Sequence, residues 1–487
     1  MYTLRAEQGC RSCPKLTARR ANLPRTAAKA LALGLLLTSL LPGLPVDPPL
    51  PTHPGTGVFL MLSDIHFNPF ADRTIAEKLG AKLNPGCEQP DPALAPMGSD
   101  TNYALLRSML EGVTRAAAQN HLRYDYVIIT GDFLAHSFDS LYQQCVGGGN
   151  EAYEKFASDT VNFVDGMIAK ALPGVPVLAA LGNNDTDRGD YQVPSRAFLE
   201  SVGREWSHGW GKLPEAARQK ALAAFARAGD FSAPDPAVAN HEFVSLNTSF
   251  WSARGAEACG GTDLDPGGQF QWLGEVLRSA QQAGTTATLI MHIPPGIDAM
   301  RTLTGRTQTM WTDRCTEEFV AKLAQFRGVV RGIYAGHIHR DDFRILPDQA
   351  GRPLTAVHIV PSVSPVYFNN PAVEIGWYDK QSGELKDYAT LYLDLSQPRA
   401  AWATEYVFSQ AYARSQFSLA ALEELARALH RGSPDSGVGE KYANYYAVGI
   451  RLLVTKENWA TYSCAQTEIN PSRFNLCRQA AVGATSR

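Results

Sequence analysis

The chain has 487 residues, 45% of them hydrophobic and 19% charged, with 41 Gly and 30 Pro. That balance excludes a disordered chain, a collagen-like fibre and a polytopic membrane protein. Lys and Arg number 45 against 48 Asp and Glu; the first 57 positions hold seven basic and two acidic residues, so the remainder carries 38 against 46, or −8. So acidic a body has no general attraction for a nucleic-acid duplex or anionic lipid, and a phosphate-bearing substrate needs a local site.

Arg19, Arg20, Arg25 and Lys29 precede an apolar stretch from Ala30 to Leu41, closed by Pro42 and Pro45. Charge followed by a short apolar run is the order of a secretory signal, and the run falls short of the roughly 20 residues of a membrane span. Residues 1–46 are therefore read as a signal peptide, with an uncleaved N-terminal anchor as the rival. No second stretch of spanning length follows in 58–487, so no further membrane domain is expected. The expected destination is periplasmic or extracellular. Cys10 and Cys13 precede the apolar run; the other six cysteines, Cys87, Cys145, Cys259, Cys315, Cys464 and Cys477, are an even number suited to disulfides in an oxidising compartment.

Residues 47–57, rich in Pro, Gly and Thr, read as a linker. From there short apolar runs bounded by Gly or Pro mark buried strands: Val58–Leu62, Tyr126–Thr130, Val175–Leu181, Glu242–Leu246, Ala287–Met291, Val329–Tyr334 and Val357–Val360. Helical candidates between them include Asn102–Gln119, Tyr153–Lys170, Pro214–Ala228 and Gly268–Ala283. The alternation predicts an α/β catalytic domain over 58–397. Past Pro398, Leu419, Leu422, Leu425 and Leu429 recur at helical spacing before Gly432 and Pro434, and 398–487 reads as a mainly helical C-terminal subdomain.

The chemistry stands at the strand ends. Val58–Leu62 runs into Asp64 and His66, Tyr126–Thr130 into Asp132 and His136, and Val175–Leu181 into Asn183 and Asn184. Ala287–Met291 runs into His292, and Val329–Tyr334 into His337 and His339. Sites in open α/β sheets form outside the carboxyl ends of strands, so these residues are expected to converge. Imidazole, carboxylate and amide donors together suit divalent transition metals, and two such ions clamp a phosphate and activate water. Asp-x-His and His-x-His are expected to face one way, as alternate residues of an extended strand do. Glycines before Asp132, Asn183 and His337 permit close ligand approach. His53, His121, His208, His241, His358 and His430 have no such context and read as structural.

This ordered set resembles the calcineurin-like metallophosphoesterase superfamily, with its Asp-x-His, Gly-Asp, Gly-Asn-His, His and Gly-His-x-His blocks. Asn247-Thr248, Met291–Gly296, Pro361–Pro365, Asn369-Asn370-Pro371 and the paired Cys464 and Cys477 are similar, more narrowly, to the acid sphingomyelinase branch with its acid sphingomyelinase-like phosphodiesterases; the likeness spans about residues 58–480. It implies a four-layer sandwich, two mixed β-sheets flanked by helices. It also implies two divalent ions, zinc first with iron or manganese as alternatives. Asp64, His66 and His339 would serve one ion, Asn183, His292 and His337 the other, with Asp132 shared. A metal-bridging hydroxide would attack the phosphorus, and His136 would protonate the leaving group. Cys259 with Cys315 and Cys464 with Cys477 fit family disulfides, which leaves Cys87 with Cys145.

Two departures matter. Asn184 stands where the family usually has histidine; an amide donates a hydrogen bond to phosphate but supplies no proton, so the acid role falls to His136 or solvent. The same Gly-Asn-Asn-Asp version occurs in the related endopolyphosphatases. About 57 residues precede the catalytic part, too few for a saposin-like lipid-presenting domain. The expectation is an exported dimetal phosphoesterase acting on a small phosphodiester, nucleotide or polyphosphate, or on a phospholipid headgroup. The alternatives are a sphingomyelin phosphodiesterase proper, an endopolyphosphatase-like enzyme and a metal-binding relative without turnover.

Overall fold

The computed structural model describes residues 49–485, apart from 88–92, 212, 256–258 and 260–262. The segment read as signal peptide or anchor lies outside the described residues, as do Cys10 and Cys13. Twelve strands are described: β1 (Thr56–Leu62), β2 (Tyr126–Ile129), β3 (Val177–Ala179), β4 (Phe231–Pro234), β5 (His241–Leu246), β6 (Thr286–Met291), β7 (Val330–Ala335), β8 (Asp342–Pro347), β9 (Pro353–Ile359), β10 (Ala372–Asp379), β11 (Leu385–Leu393) and β12 (Trp402–Val407). They form two six-stranded sheets, β12-β11-β10-β1-β2-β3 and β4-β5-β6-β7-β9-β8. Both are mixed: β1, β2 and β3 run parallel in one, β5, β6, β7 and β9 in the other, with antiparallel strands completing each.

The parallel strands β2, β3 and β6 are buried on both faces, which is why they read as continuous apolar runs rather than as alternations. Phe59 and Tyr126 of the first sheet meet Tyr334 and Phe243 of the second, with ring centroids 5.8 and 5.0 Å apart, so the sheets pack face to face. Helices cover the outside. Tyr103–Gln119 starts where the Asn102 side chain accepts the Leu105 N–H, and buries Leu106, Met109, Leu110 and Val113 at helical spacing. Gln269–Ala283 buries Phe270, Leu273, Leu277 and Ala280 in the same way. The predicted helices are present as Tyr103–Gln119, Asn150–Ala171, Glu215–Ala228, Gln269–Ala283 and Leu419–Arg431.

Three differences have physical causes. Residues 49–57 of the expected linker are packed down: Leu50 is buried with its N–H on Asn120 Oδ1 (2.7 Å), and Thr56 already pairs with Asp379. The stretch after Pro398 opens with β12, which pairs with β11 before the chain turns helical from Phe408. Strands β8 and β10 carry buried polar residues that mask their apolar pattern. Arg344 pairs with Asp342 inside β8, and Glu374 of β10 meets His358 of β9 across the two sheets at 2.7 Å.

Three disulfides, Cys87–Cys145, Cys259–Cys315 and Cys464–Cys477, join the six later cysteines in the expected pairs. Such pairing belongs to an oxidising compartment. Among the described residues no helix is long and apolar enough to cross a membrane. The mature chain, expected to begin between about residues 42 and 57, should show no reactive thiol when titrated denatured and unreduced. Two or more would contradict the pairing.

Candidate metal centre

The parallel strands of both sheets deliver the predicted residues to one edge. Asp64 and His66 follow β1, Asp132 follows β2, Asn183 follows β3, His292 follows β6, and His337 and His339 follow β7. The backbone there differs from the extended form expected of Asp-x-His and His-x-His. Asp64 (φ 48°), His66 (45°), Asp132 (57°), His337 (72°) and His339 (57°) are all left-handed. This conformation costs a non-glycine residue about 1–2 kcal/mol, and side chains two apart share a face through it rather than through strand pleating. Glycine is required beside them: a Cβ on Gly182 would lie 2.0 Å from Asp132 Oδ1, and one on Gly336 would lie 2.0 Å from Ser63 Oγ.

Protein donors fix which atoms face inward. His66 Nδ1–H donates to the Leu134 carbonyl (2.9 Å) and His292 Nδ1–H to the Thr130 carbonyl (2.8 Å), so each presents an Nε2 lone pair to the centre. Those lone pairs meet other acceptors. His66 Nε2 lies 3.3 Å from Asp132 Oδ2 and 3.1 Å from His339 Nε2; His292 Nε2 lies 3.1 Å from the same Asp132 oxygen and 3.3 Å from His337 Nδ1. Asp64 Oδ2 takes the Ser63 hydroxyl and the His337 N–H, leaving Oδ1 buried without a hydrogen-bond donor, 3.2 Å from His339 Nε2. Asn183 Nδ2 donates to Asp190 (2.6 Å), which leaves Asn183 Oδ1 buried and unpartnered. Acceptors facing acceptors in a dry site need cations between them.

The charge balance says the same. Burial opposes a charge on His66 and His292, but the nearby carboxylates, Asp132 foremost, outweigh it and raise them to about 10 and about 9. Burial takes His337 down to about 3 and His339 to about 4, with His292 adding to the effect on the first. Without metal, the carboxylates would recruit protons; divalent ions would take the protons' place.

The sequence profile of the calcineurin-like phosphoesterase family matches residues 57–341, more than half of the chain, and spans all seven of these residues. The chain belongs to the calcineurin-like phosphoesterase family. It is 25% identical over 445 residues to human acid sphingomyelinase-like phosphodiesterase 3b, covering 87% of this chain and 90% of that protein. It is 25% identical to human cyclic GMP-AMP phosphodiesterase SMPDL3A (85% and 88% covered) and 27% identical to sphingomyelinase phosphodiesterase D of Dictyostelium discoideum (65% and 66%). This phosphoesterase is thus a phosphoric ester hydrolase with a family dimetal site, for which the converging residues are the candidate ligands.

Of the two residues expected to act on substrate, His136 stands beside the centre. Its ring stacks on His66 at 3.9 Å, and its side chain is 26% exposed. Asp100 accepts both its Nδ1–H and its backbone N–H, each at 2.9 Å, which turns Nε2 toward Tyr367 Oη at 3.3 Å. Asn184 stands against Asp132, a contact the sequence did not display. Its backbone and side-chain N–H groups donate to the two oxygens of Asp132, each at 2.8 Å. It orients the carboxylate that lies between His66 and His292.

Sequence reasoning missed Asp100 and Asp185. Asp185 is fully buried and takes four backbone N–H groups, from Asp132, Phe133, Leu134 and Gly182, at 2.7–3.0 Å. It pins the loop after β2 to the loop after β3. Its place in Gly182-Asn183-Asn184-Asp185 was visible, but nothing local showed that its partners lie some 50 residues upstream. Asn247-Thr248 proves structural: Thr248 Oγ1 accepts the Ile293 N–H (2.8 Å), fixing the turn after His292. The Pro361–Pro365 segment likewise hydrogen-bonds the backbone of Ser63 and Asp64.

Asp185→Ala would strand several buried donors at about 1–3 kcal/mol each. It should lower the melting temperature and also the metal content of the folded fraction, read by calorimetry and elemental analysis. A variant with native metal content would show that Asp185 does not position the centre.

Proposed function

We propose that this phosphoesterase is an exported dimetal phosphodiesterase acting on small phosphodiesters or phosphoanhydrides. In this reading Asp64, His66 and His339 hold one ion, Asn183, His292 and His337 hold the other, and Asp132 is shared. The observation that carries it is the set of buried imidazole nitrogens and carboxylate oxygens aimed at one another, with Asp64 Oδ1 and Asn183 Oδ1 left without a hydrogen-bond donor. Imidazole and carboxylate donors favour zinc, with iron or manganese next. When bound, such ions supply a strong nucleophile near neutral pH and neutralise charge on the phosphoryl group.

The chain's own residues do the rest. Asn184 and Asp185 hold Asp132 and its loop. Asp100 holds His136 through Nδ1 with Nε2 facing the mouth, where the ring in its protonated form can hand a proton to a leaving oxygen. Tyr367, 43% exposed, stands at the same mouth beside Phe368, 64% exposed. The printed names of the relatives, phosphodiesterases of the acid sphingomyelinase type and of cyclic GMP-AMP, support a small diester, nucleotide or headgroup substrate. The three disulfides and the basic-then-apolar N-terminus support export. We read 58–397 as the catalytic domain, with 398–487 as a mainly helical subdomain that lends β12 to its sheet.

Hydrolysis of bis(p-nitrophenyl) phosphate with zinc or manganese present tests the reading: a rate no higher than that of His292→Ala would reject it. Elemental analysis should find about two ions per chain, and Asp132→Asn should lose the most metal and activity because one carboxylate serves both positions. Fewer than two ions in fully active protein would refute the dimetal assignment.

The role of His136 has its own signature. General-acid help is worth about 10²–10⁴-fold and matters when the leaving group is a strong base. His136→Ala should therefore slow alkyl diesters by that order and aryl diesters far less. An unchanged ratio of the two rates in folded, metal-loaded protein would leave His136 a structural residue.

A further inference from the structure

A cavity of about 160 Å³ adjoins the metal centre, and His337 forms part of its wall. Three arginines, Arg254, Arg301 and Arg344, line it together with Tyr191 and Tyr367. Arg254 is held in place: its Nη1 donates to Tyr191 Oη (2.7 Å), its guanidinium lies 4.1 Å over the Tyr191 ring, and that hydroxyl is 3.4 Å from His337 Nε2. Among the described residues, only Arg344 of the three has an ion-pair partner, Asp342, and its buried Nε has no hydrogen-bond acceptor. The one carboxylate on the wall is Asp298, which accepts the Arg301 backbone N–H at 2.9 Å. Burial pushes the Asp298 carboxyl up, while Arg301, Arg254 and Arg344 pull it back, so all three cations act on one small volume.

A body with a net charge of −8 thus places two arginines without an ion-pair partner, Arg254 and Arg301, and the Asp342-paired Arg344 around one wall carboxylate, Asp298, beside a centre that itself attracts phosphate. Guanidinium groups recognise phosphate and carboxylate oxygens and repel a quaternary ammonium such as a choline headgroup. We infer that this cavity receives a second phosphate of the substrate, the one that leaves, and so directs the enzyme toward phosphoanhydrides rather than simple alkyl diesters. The inference rests on the phosphoesterase reading of the metal centre.

The chemistry balances with one water. Its oxygen bonds to the first phosphorus, the anhydride P–O bond breaks, and the electron pair departs on the second phosphate. The water's protons pass to product oxygens and solvent. A leaving phosphate is a weak base that needs charge stabilisation more than a proton. Such a leaving group calls for the positive charge that Arg254 and Arg301 bring to this cavity.

The test uses metal-loaded full chain, Arg254→Gln, Arg301→Gln and the double variant, with two readouts. In turnover, P1,P2-diadenosine diphosphate and inorganic tripolyphosphate are each compared with bis(p-nitrophenyl) phosphate. The ratio of kcat/KM for at least one anhydride to that for the aryl diester should fall about 10- to 100-fold in the double variant, as expected for lost charge-assisted hydrogen bonds. The anhydride affected identifies a nucleotide or an inorganic source. In binding, calorimetry with αβ-methylene ADP and AMP should show tighter binding of the two-phosphate compound to wild type and loss of that advantage in the variants. An unchanged ratio together with an unchanged advantage overturns the inference. Absence of turnover of every substrate would instead count against the phosphoesterase reading, and the binding comparison would still decide the role of the arginines.

Discussion

Two carboxylates and four imidazoles crowd together at the ends of the strands, their oxygens and nitrogens aimed inward at one another, with Asp64 Oδ1 left without a hydrogen-bond donor. Unscreened acceptors at 3.1–3.3 Å repel one another, and a folded chain tolerates that only when cations belong between them. Much of the surrounding structure serves this one constraint. The carbonyls of Leu134 and Thr130 set the histidine tautomers, Ser63 and the His337 N–H saturate the outer oxygen of Asp64, and Asn184 grips Asp132.

The scaffold supplies the force needed to hold such a cluster. Five of the seven candidate ligands adopt left-handed backbone, each at a cost that a loop alone would relax. Here each follows a strand whose end is buried, and hydrogen bonds run between the ligand loops themselves. The His66 N–H donates to the Asp132 carbonyl (2.9 Å), the Asp64 N–H to the Gly131 carbonyl (3.0 Å), and the Gly336 N–H to the His292 carbonyl (2.9 Å). Asp185 ties the third strand end to the second with three more, from Asp132, Phe133 and Leu134. The strain is distributed through the edges of two sheets.

Around this fixed centre the mouth divides its work by charge and exposure. His136 and Asp100 stand on the His66 side, with Tyr367 and the exposed Phe368 beside them, while the arginine-lined cavity opens beside His337. An acidic body with a local positive recess discriminates among phosphate compounds by what their leaving groups carry, which the metal centre alone does not do.

The strand-end residues were legible in the sequence because buried parallel strands read as uninterrupted apolar runs, and whatever polar residue ends such a run stands out. Val58–Leu62 before Asp64, Ala287–Met291 before His292 and Val329–Tyr334 before His337 are signals of this kind, and the spacing of the blocks carried the family and its fold. Strands β8 and β10 were hidden because Arg344 and Glu374 are buried by pairing, a satisfaction no local window displays. Asp100, Asp185 and the arginines of the cavity were invisible for a related reason: an isolated Asp or Arg has no pattern, and its meaning lies in partners that only the folded chain brings near. Asn184 shows the limit most clearly. Sequence position showed only that an amide stands at this strand end; the tight turn at Gly182 is what brings it within 2.8 Å of Asp132. Sequence determined which chemical groups arrive at the strand ends, because hydrophobic periodicity is local; tertiary structure decided what each group faces, because hydrogen bonds and charges are settled by distance in space.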